Sequence, residues 1–156
     1  MTKAMALCAA LLLQALGTEA KMDTGRHASG TFEVKVTPVA GSDKGVASAR
    51  MSLAKTFSGE LTGTSNGEMW ATETGVEGSG GYVAIEKVVA TLNGRSGSFT
   101  LIHQGTMRRG AEFQMRIVVV PDSGSEQLAG LAGTMTIRIE KDKHFYDFDY
   151  TMPDPR

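Results

Sequence analysis

Apolar and polar side chains alternate along most of the chain after residue 30. In residues 31–37, Phe32, Val34 and Val36 alternate with polar neighbours, and this period of two is typical of a strand with one buried face. The long run 82–92 is rich in β-branched residues, which favours a strand over a helix there. The alternation continues at Met51, Leu53 and Phe57, and strands are predicted over 82–92, 98–107, 113–120, 134–140 and 144–152.

Turn-forming residues separate these runs. Glycine accounts for 19 of the 156 residues, and residues 40–45 and 75–81 are predicted to be a turn and a loop. After residue 20 no helix is predicted. About eight strands in hairpin order predict an all-β fold, a single closed antiparallel barrel that leaves no sheet edge exposed. The predicted domain covers residues 31–152, between a flexible arm at 21–30 and a tail at 153–156.

The first twenty residues have a different composition. Lys3 precedes an apolar run from Ala4 to Leu16, and the small residues Thr18 and Ala20 follow it. This order is typical of a cleaved secretory signal peptide, and the run is shorter than the ~20 residues that span a bilayer. The pattern predicts a secreted or periplasmic protein without stable membrane insertion after cleavage.

Charge and cysteine content narrow the function classes. The net charge is -1, which gives no electrostatic basis for binding nucleic acid. The single cysteine, Cys8, lies within the predicted signal, so residues 21–156 have no thiol for a disulfide or a cysteine-ligated metal. No cofactor is predicted. No metal site is predicted either, because Glu60, Glu68, Glu73 and Glu77 lack partners at ligand spacing.

The hairpin that joins 82–92 to 98–107 places two ionisable residues on one face. A Gly94-Arg95 turn, or a four-residue loop, would set Glu86 directly opposite His103. An Asn93-Gly94 turn would make the two residues diagonal neighbours. Either register keeps them on one face, and only an odd-length loop would separate them. A second register argument, for residues 108–112, requires an odd-length loop that sets His103 against Ile117 and Met107 against Phe113. This keeps Phe113, Met115, Ile117 and Val119 in the core.

The face that carries Glu86 and His103 is the more apolar one, so it is predicted to lie inside the barrel. Buried ionisable groups need partners, and a Glu–His pair could act as a general acid or base, orient a ligand, or serve a structural role. From these two strands alone, Glu86→Gln is expected to affect folding only modestly. The pair forms the candidate catalytic site. The predicted ligand pocket contains Trp70, Tyr82, Glu86, Phe99, His103, Tyr146 and Tyr150.

Three segments resemble a known bacterial family: FSGELTG at 57–63, YVAIEKVVATLNGRSGSFTLIHQG at 82–105 and VPDSGSEQLAGLAG at 120–133. They resemble domain-of-unknown-function family 3224, and this implies a fold similar to the allene oxide cyclase-like barrel. The chain departs from that pattern at Ile117, where tryptophan is common, and at Glu126-Gln127, where Gly-Glu is common. The resemblance implies a fold but no settled activity.

Three functions remain open. An exported barrel could bind a small, largely apolar molecule in its interior. It could be a cyclase- or isomerase-like enzyme that uses the Glu86–His103 pair, by analogy of fold. It could also be a structural module with a filled interior, and homo-oligomer formation is expected from the barrels that it resembles. Pocket volume separates the third function from the other two.

Overall fold

The computed structural model describes residues 25–40 and 49–153, which form a closed antiparallel barrel of eight strands. The strands pair in chain order, and β8 closes on β1. Within the described residues the helical content is one 3-10 turn at Glu126–Leu128. The all-β barrel prediction is confirmed. The strands are β1 (Arg26–Pro38), β2 (Ala49–Gly59), β3 (Leu61–Glu73), β4 (Gly80–Leu92), β5 (Arg95–Met107), β6 (Gln114–Val119), β7 (Ala132–Glu140) and β8 (Lys143–Thr151).

The first strand begins earlier than the alternation indicated. Residues 26–30 were expected to belong to a flexible arm, but they pair with β8, with Ala28 opposite Phe148. Ala28 is fully buried, so barrel closure rather than local pattern sets this boundary. The predicted signal at 1–20 and most of the predicted turn at 40–45 lie outside the described residues.

The β4–β5 hairpin takes the second of the two registers that the sequence allowed. Leu92 pairs with Arg95, and the two residues between them, Asn93 and Gly94, have φ of 46° and 82°. Positive φ at both central positions matches the twist of antiparallel strands. Glu86 therefore pairs with Leu101, and His103 lies diagonally across from Glu86 on the same face.

The β5–β6 connection confirms the predicted odd-length loop. His103 pairs with Ile117, Ile117 is buried, and Arg116 lies outside the barrel. The prediction fails for the last pair, since Met107 and Phe113 are 47% and 45% exposed. These residues lie where the barrel ends, because β5 stops at Met107 and β6 begins only at Gln114.

Half of the barrel interior is closed by packed side chains. This sealed half lies at the end that carries the Asn93-Gly94 turn, where Phe99 stacks on Phe148 and Phe148 on Tyr150, with ring centroids 5.9 Å and 5.2 Å apart. The segment 120–131 contributes the fully buried Leu128. Within it Glu126 has a φ of 53°, a conformation that glycine adopts more readily.

The other half of the interior, at the end opposite the Asn93-Gly94 turn, is not closed in this way, and we call it the upper half. In this upper half most inward-facing side chains are apolar or weakly polar and half-buried, although Leu53 and Ala84 are buried and the imidazole of His144 lies against Phe32. A molecule that enters the barrel would therefore meet this surface first. The residues concerned are Val34, Met51, Met69, Tyr82, Met115 and Ile137.

Candidate functional site

One cluster contains every buried polar or charged side chain of residues 25–40 and 49–153. Its members come from four consecutive strands: Lys55 from β2, Ser65 from β3, Glu86 from β4 and His103 from β5. We call these four residues the Glu86 cluster. They lie between the sealed half and the upper half.

The carboxylate of Glu86 is the centre of the cluster. Lys55 Nζ donates a hydrogen bond to Glu86 Oε2 over 2.7 Å. Ser65 Oγ donates one to Glu86 Oε1, and His103 Nε2 lies 2.9 Å from Oε2. The prediction that Glu86 and His103 are neighbours on the inner face is confirmed.

The contact between His103 and Glu86 is close but poorly aligned. The negative charge of the carboxylate 2.9 Å away favours the tautomer that carries its proton on Nε2. The N–H does not line up with Oε2, so Nε2 makes no hydrogen bond within the described part of the chain. A buried donor without an acceptor is costly, and His103 is therefore incompletely satisfied.

These contacts keep Glu86 ionised. Burial by itself raises the pKa of a carboxyl group, but contacts with His103, Lys55 and Ser65 outweigh it and lower the pKa of Glu86 from 4.5 to about 2. At neutral pH the carboxylate is therefore charged, and its low pKa makes it a weak base.

Sequence reasoning missed Lys55. Its inward position was nevertheless readable, since Lys55 occupies the same alternate positions as Leu53 and Phe57. The ammonium lies 5.0 Å and 5.9 Å from the ring centroids of Phe32 and Phe57, where cation–π attraction adds to the ion pair. Ion pairing and aromatic contact together explain how a lysine is kept inside the barrel.

A glycine brings β3 close to the carboxylate. Gly67 pairs with Glu86, and a Cβ atom at Gly67 would lie 2.4 Å from the Ile85 carbonyl oxygen and 2.8 Å from Glu86 Cα. A side chain at this position would push the two strands apart. The absence of one lets β3 approach β4 closely enough for Ser65 to reach Glu86.

The remaining predicted pocket residues lie in three different places. Tyr82 lies in the upper half, where its hydroxyl donates a hydrogen bond to Met115 Sδ over 3.3 Å. Phe99, Tyr146 and Tyr150 are buried in the packed core, and the structure does not bring them to the Glu86 cluster as cavity wall. The Tyr146 hydroxyl accepts a hydrogen bond from the Leu61 N–H over 2.8 Å, which is a structural role.

The placement of Trp70 inside the barrel was wrong. Trp70 is 45% exposed on the outer face, because the inward positions of β3 are Leu61, Ser65 and the others with the same parity. The Arg50 guanidinium covers the indole at 5.2 Å. Trp70 lines an outer groove of about 510 Å³ together with Val83, Ile85 and Ile102.

Other site types find no support in the described chain. Over residues 25–40 and 49–153, no group of three His, Cys, Asp or Glu side chains could hold a metal ion. None of the helices in the same ranges is long and apolar enough to cross a membrane.

Comparison with known proteins gives a family but no activity. The family model described as "Protein of unknown function (DUF3224)" matches residues 28–150. A crystal structure of a DUF3224 protein of unknown function from Shewanella oneidensis MR-1 is 46% identical and superposes with a TM-score of 0.77. The match covers 84% of this chain and 100% of that chain. No curated protein matches the chain by sequence.

Proposed function

The chain belongs to the DUF3224 family, and from the geometry of its own barrel we propose that it binds a small, largely apolar molecule in the upper half. The observation that supports this proposal is the contrast between the two halves of the interior. Aromatic and aliphatic side chains fill the sealed half, whereas most of the inward apolar side chains of the upper half are only half-buried. Eight-stranded barrels can hold one small ligand in this way.

The Glu86 cluster forms the floor of this site. Glu86 has no exposed side-chain surface, whereas Lys55 and His103 keep 5% and 4% of theirs. A bound molecule would therefore contact Lys55 and His103, whereas Glu86 lies behind these two side chains and fixes their positions. In this arrangement Glu86 is a positioning residue.

The catalytic alternative has weaker support. A general base works best when its pKa lies near the working pH, and the pKa of Glu86 is held at about 2. Catalysis by this carboxylate would require the ligand first to displace Lys55 or Ser65 from it.

The structural alternative rests on a different surface. Val83, Ile85 and Ile102 are 56%, 61% and 41% exposed on the outer face, and such strips are often contact surfaces. Glu68 lies directly across from Ile85 on β3, where it forms an ion pair with Arg50, and Lys87 follows Ile85 by two residues on β4. A second copy of the chain could cover this apolar strip from outside, which makes self-association compatible with ligand binding.

Native mass spectrometry of the protein purified from its own host tests both ideas at once. We expect a mass above that of the polypeptide alone, lost on collisional activation and attributable to one small molecule. Subunit number is read from the same spectrum. A polypeptide-only mass, together with no binding of the neutral fluorophore N-phenyl-1-naphthylamine, would contradict the binding function.

A blocking substitution tests where the molecule binds. Ala71 faces inward in the upper half, beside Tyr82 on β4, so Ala71→Trp should fill the entrance and weaken fluorophore binding at least about tenfold. Thr72→Trp adds the same side chain one residue further on the outer face and should leave binding unchanged. Equal binding by both variants would move the site out of the barrel.

Export remains a prediction from residues 1–20. If this segment is a signal peptide, the mature protein begins near Lys21. N-terminal sequencing of the protein from the periplasmic or culture fraction checks this, and an intact Met1 on the folded product would contradict it.

A further inference from the structure

We infer that the molecule bound in the upper half has an acceptor oxygen, a carbonyl or carboxylate, that docks between Lys55 and His103. This inference rests on the proposed function, because it assigns the chemistry of the group that meets the floor of that site. It comes from the balance of hydrogen-bond donors and acceptors in the Glu86 cluster.

Several donors of the cluster have no aligned acceptor. An ammonium has three N–H donors, but the described structure gives Lys55 a single oxygen acceptor, Glu86 Oε2. His103 Nε2 lies 2.9 Å from the same oxygen but is not aligned for a hydrogen bond. Ser65 donates to the other carboxylate oxygen. Each carboxylate oxygen can accept two hydrogen bonds, but Nε2 of His103 is not aligned with Oε2, and two N–H groups of Lys55 have no oxygen acceptor in the described structure.

An acceptor on the bound molecule would satisfy these donors. An oxygen placed between Lys55 and His103 could receive the poorly aligned N–H of His103 or an unused N–H of Lys55. Charge-assisted hydrogen bonds of this kind are among the stronger ones. A cationic group would instead add a donor and a positive charge beside Lys55, so the floor selects against amines.

The wall above the floor offers a further donor. The hydroxyl of Tyr82 is bonded to Met115 Sδ, and a thioether sulfur is a weak acceptor. An oxygen on the bound molecule could therefore replace the sulfur as the acceptor of the hydrogen bond from this hydroxyl at little cost. The thioether and aliphatic surface of Met51, Met69 and Val34 suits the apolar remainder.

Displacement of N-phenyl-1-naphthylamine by ten-carbon competitors tests the inference. Decanoic acid and 2-decanone present an acceptor oxygen, decylamine presents a cation, and 1-decene has no polar group. We expect at least one oxygen-bearing competitor to displace the fluorophore at a concentration about tenfold lower than decylamine or 1-decene. If decanoic acid displaces the fluorophore at a lower concentration than 2-decanone, the recognised group is a carboxylate. If the two compounds are equally potent, it is a carbonyl oxygen.

Variants show whether the preference arises at the floor. His103→Phe keeps an aromatic ring, removes the N–H and leaves the Lys55–Glu86 pair intact, so the ratio of oxygen-bearing to apolar affinity should fall severalfold while 1-decene binding is retained. Tyr82→Phe should lower the same ratio and provides the test if His103→Phe does not fold. A ratio is unaffected by loss of folded protein, so a purely structural role would not change it.

The outcomes separate this inference from the proposed function. If the fluorophore binds and all four competitors are equally potent, the acceptor-oxygen inference is wrong and apolar binding stands. A preference that persists unchanged in both variants would also overturn the inference, since the oxygen would then be recognised elsewhere. If the fluorophore does not bind to the unaltered protein, both proposals fail together.

Discussion

Replacing Lys55 with methionine is expected to lower the free energy of unfolding by about 3 kcal/mol, which is typical of breaking a buried ion pair. The substitution keeps an unbranched side chain between Phe32 and Phe57 but removes the charge that lies 2.7 Å from Glu86 Oε2. An ionised carboxylate with no exposed surface would then lack its cation. Ser65 and His103 still contact it, so the loss should lie at the lower end of the range.

Urea unfolding of five proteins measures this effect: the unaltered protein, Lys55→Met, Glu86→Gln, their double variant and Lys87→Met. The double variant Lys55→Met/Glu86→Gln removes both charges and should recover most of the stability, because losses within one buried network are not additive. Lys87→Met changes an exposed lysine on the outer face of β4 and should stay within about 0.5 kcal/mol of the unaltered protein. Additive losses in the double variant would show that Lys55 and Glu86 are not energetically coupled.

The presence of Lys55 also revises the expectation for Glu86→Gln. When only β4 and β5 are considered, an amide that keeps the size of the side chain should be tolerated. Since Lys55 is buried against the carboxylate, the amide leaves an ammonium inside the barrel without a counter-charge. We therefore expect Glu86→Gln to be strongly destabilising, by a margin similar to that of Lys55→Met.

The part of the site that could be read from the sequence follows from strand geometry. Alternation in 82–92 and 98–107 identifies the inner face, and any hairpin loop of even length places Glu86 and His103 together on it. The choice between two such loops depended on a preference of Asn-Gly for positive φ, which the structure shows at Asn93 and Gly94. The apolar alternation therefore predicts that Glu86 and His103 share a face, and the geometry of the turn makes the two residues diagonal neighbours.

The rest of the candidate site depends on contacts between segments that are distant in the sequence. The inward face of β3 carries Gly63, Ser65 and Gly67, and such small residues produce no apolar alternation. The sequence therefore indicates that residues 58–66 could extend or pair with the preceding strand, but it does not indicate which of them face inward. This is why Trp70 was placed inside and Ser65 was overlooked. Lys55 is missed for a related reason. A lysine interrupts an apolar pattern, and an inward position for it is expected only when a buried carboxylate on another strand is known.

Low pH should decrease the free energy of unfolding, because the carboxylate of Glu86 becomes protonated. The pKa of this carboxyl group is lowered in the folded protein to about 2, from an ordinary value of 4.5, so the folded state holds its proton less tightly than the unfolded state. Its contribution to stability is fully present above pH 4.5 and is lost as the pH falls towards 2. A shift of this size corresponds to about 3 kcal/mol.

Urea unfolding at intervals from pH 5 to pH 2 tests this linkage, with Glu86→Gln as the variant that cannot titrate at this position. We expect the stability of the unaltered protein to fall more steeply with acid, so that the gap between it and Glu86→Gln narrows by about 3 kcal/mol across the range. Glu68→Gln, on the exposed outer face beside Arg50, should leave the steep fall in place. A constant gap between the unaltered protein and Glu86→Gln would mean that the carboxyl group titrates alike in the folded and unfolded chains. In that case Lys55, Ser65 and His103 would not stabilise its charge.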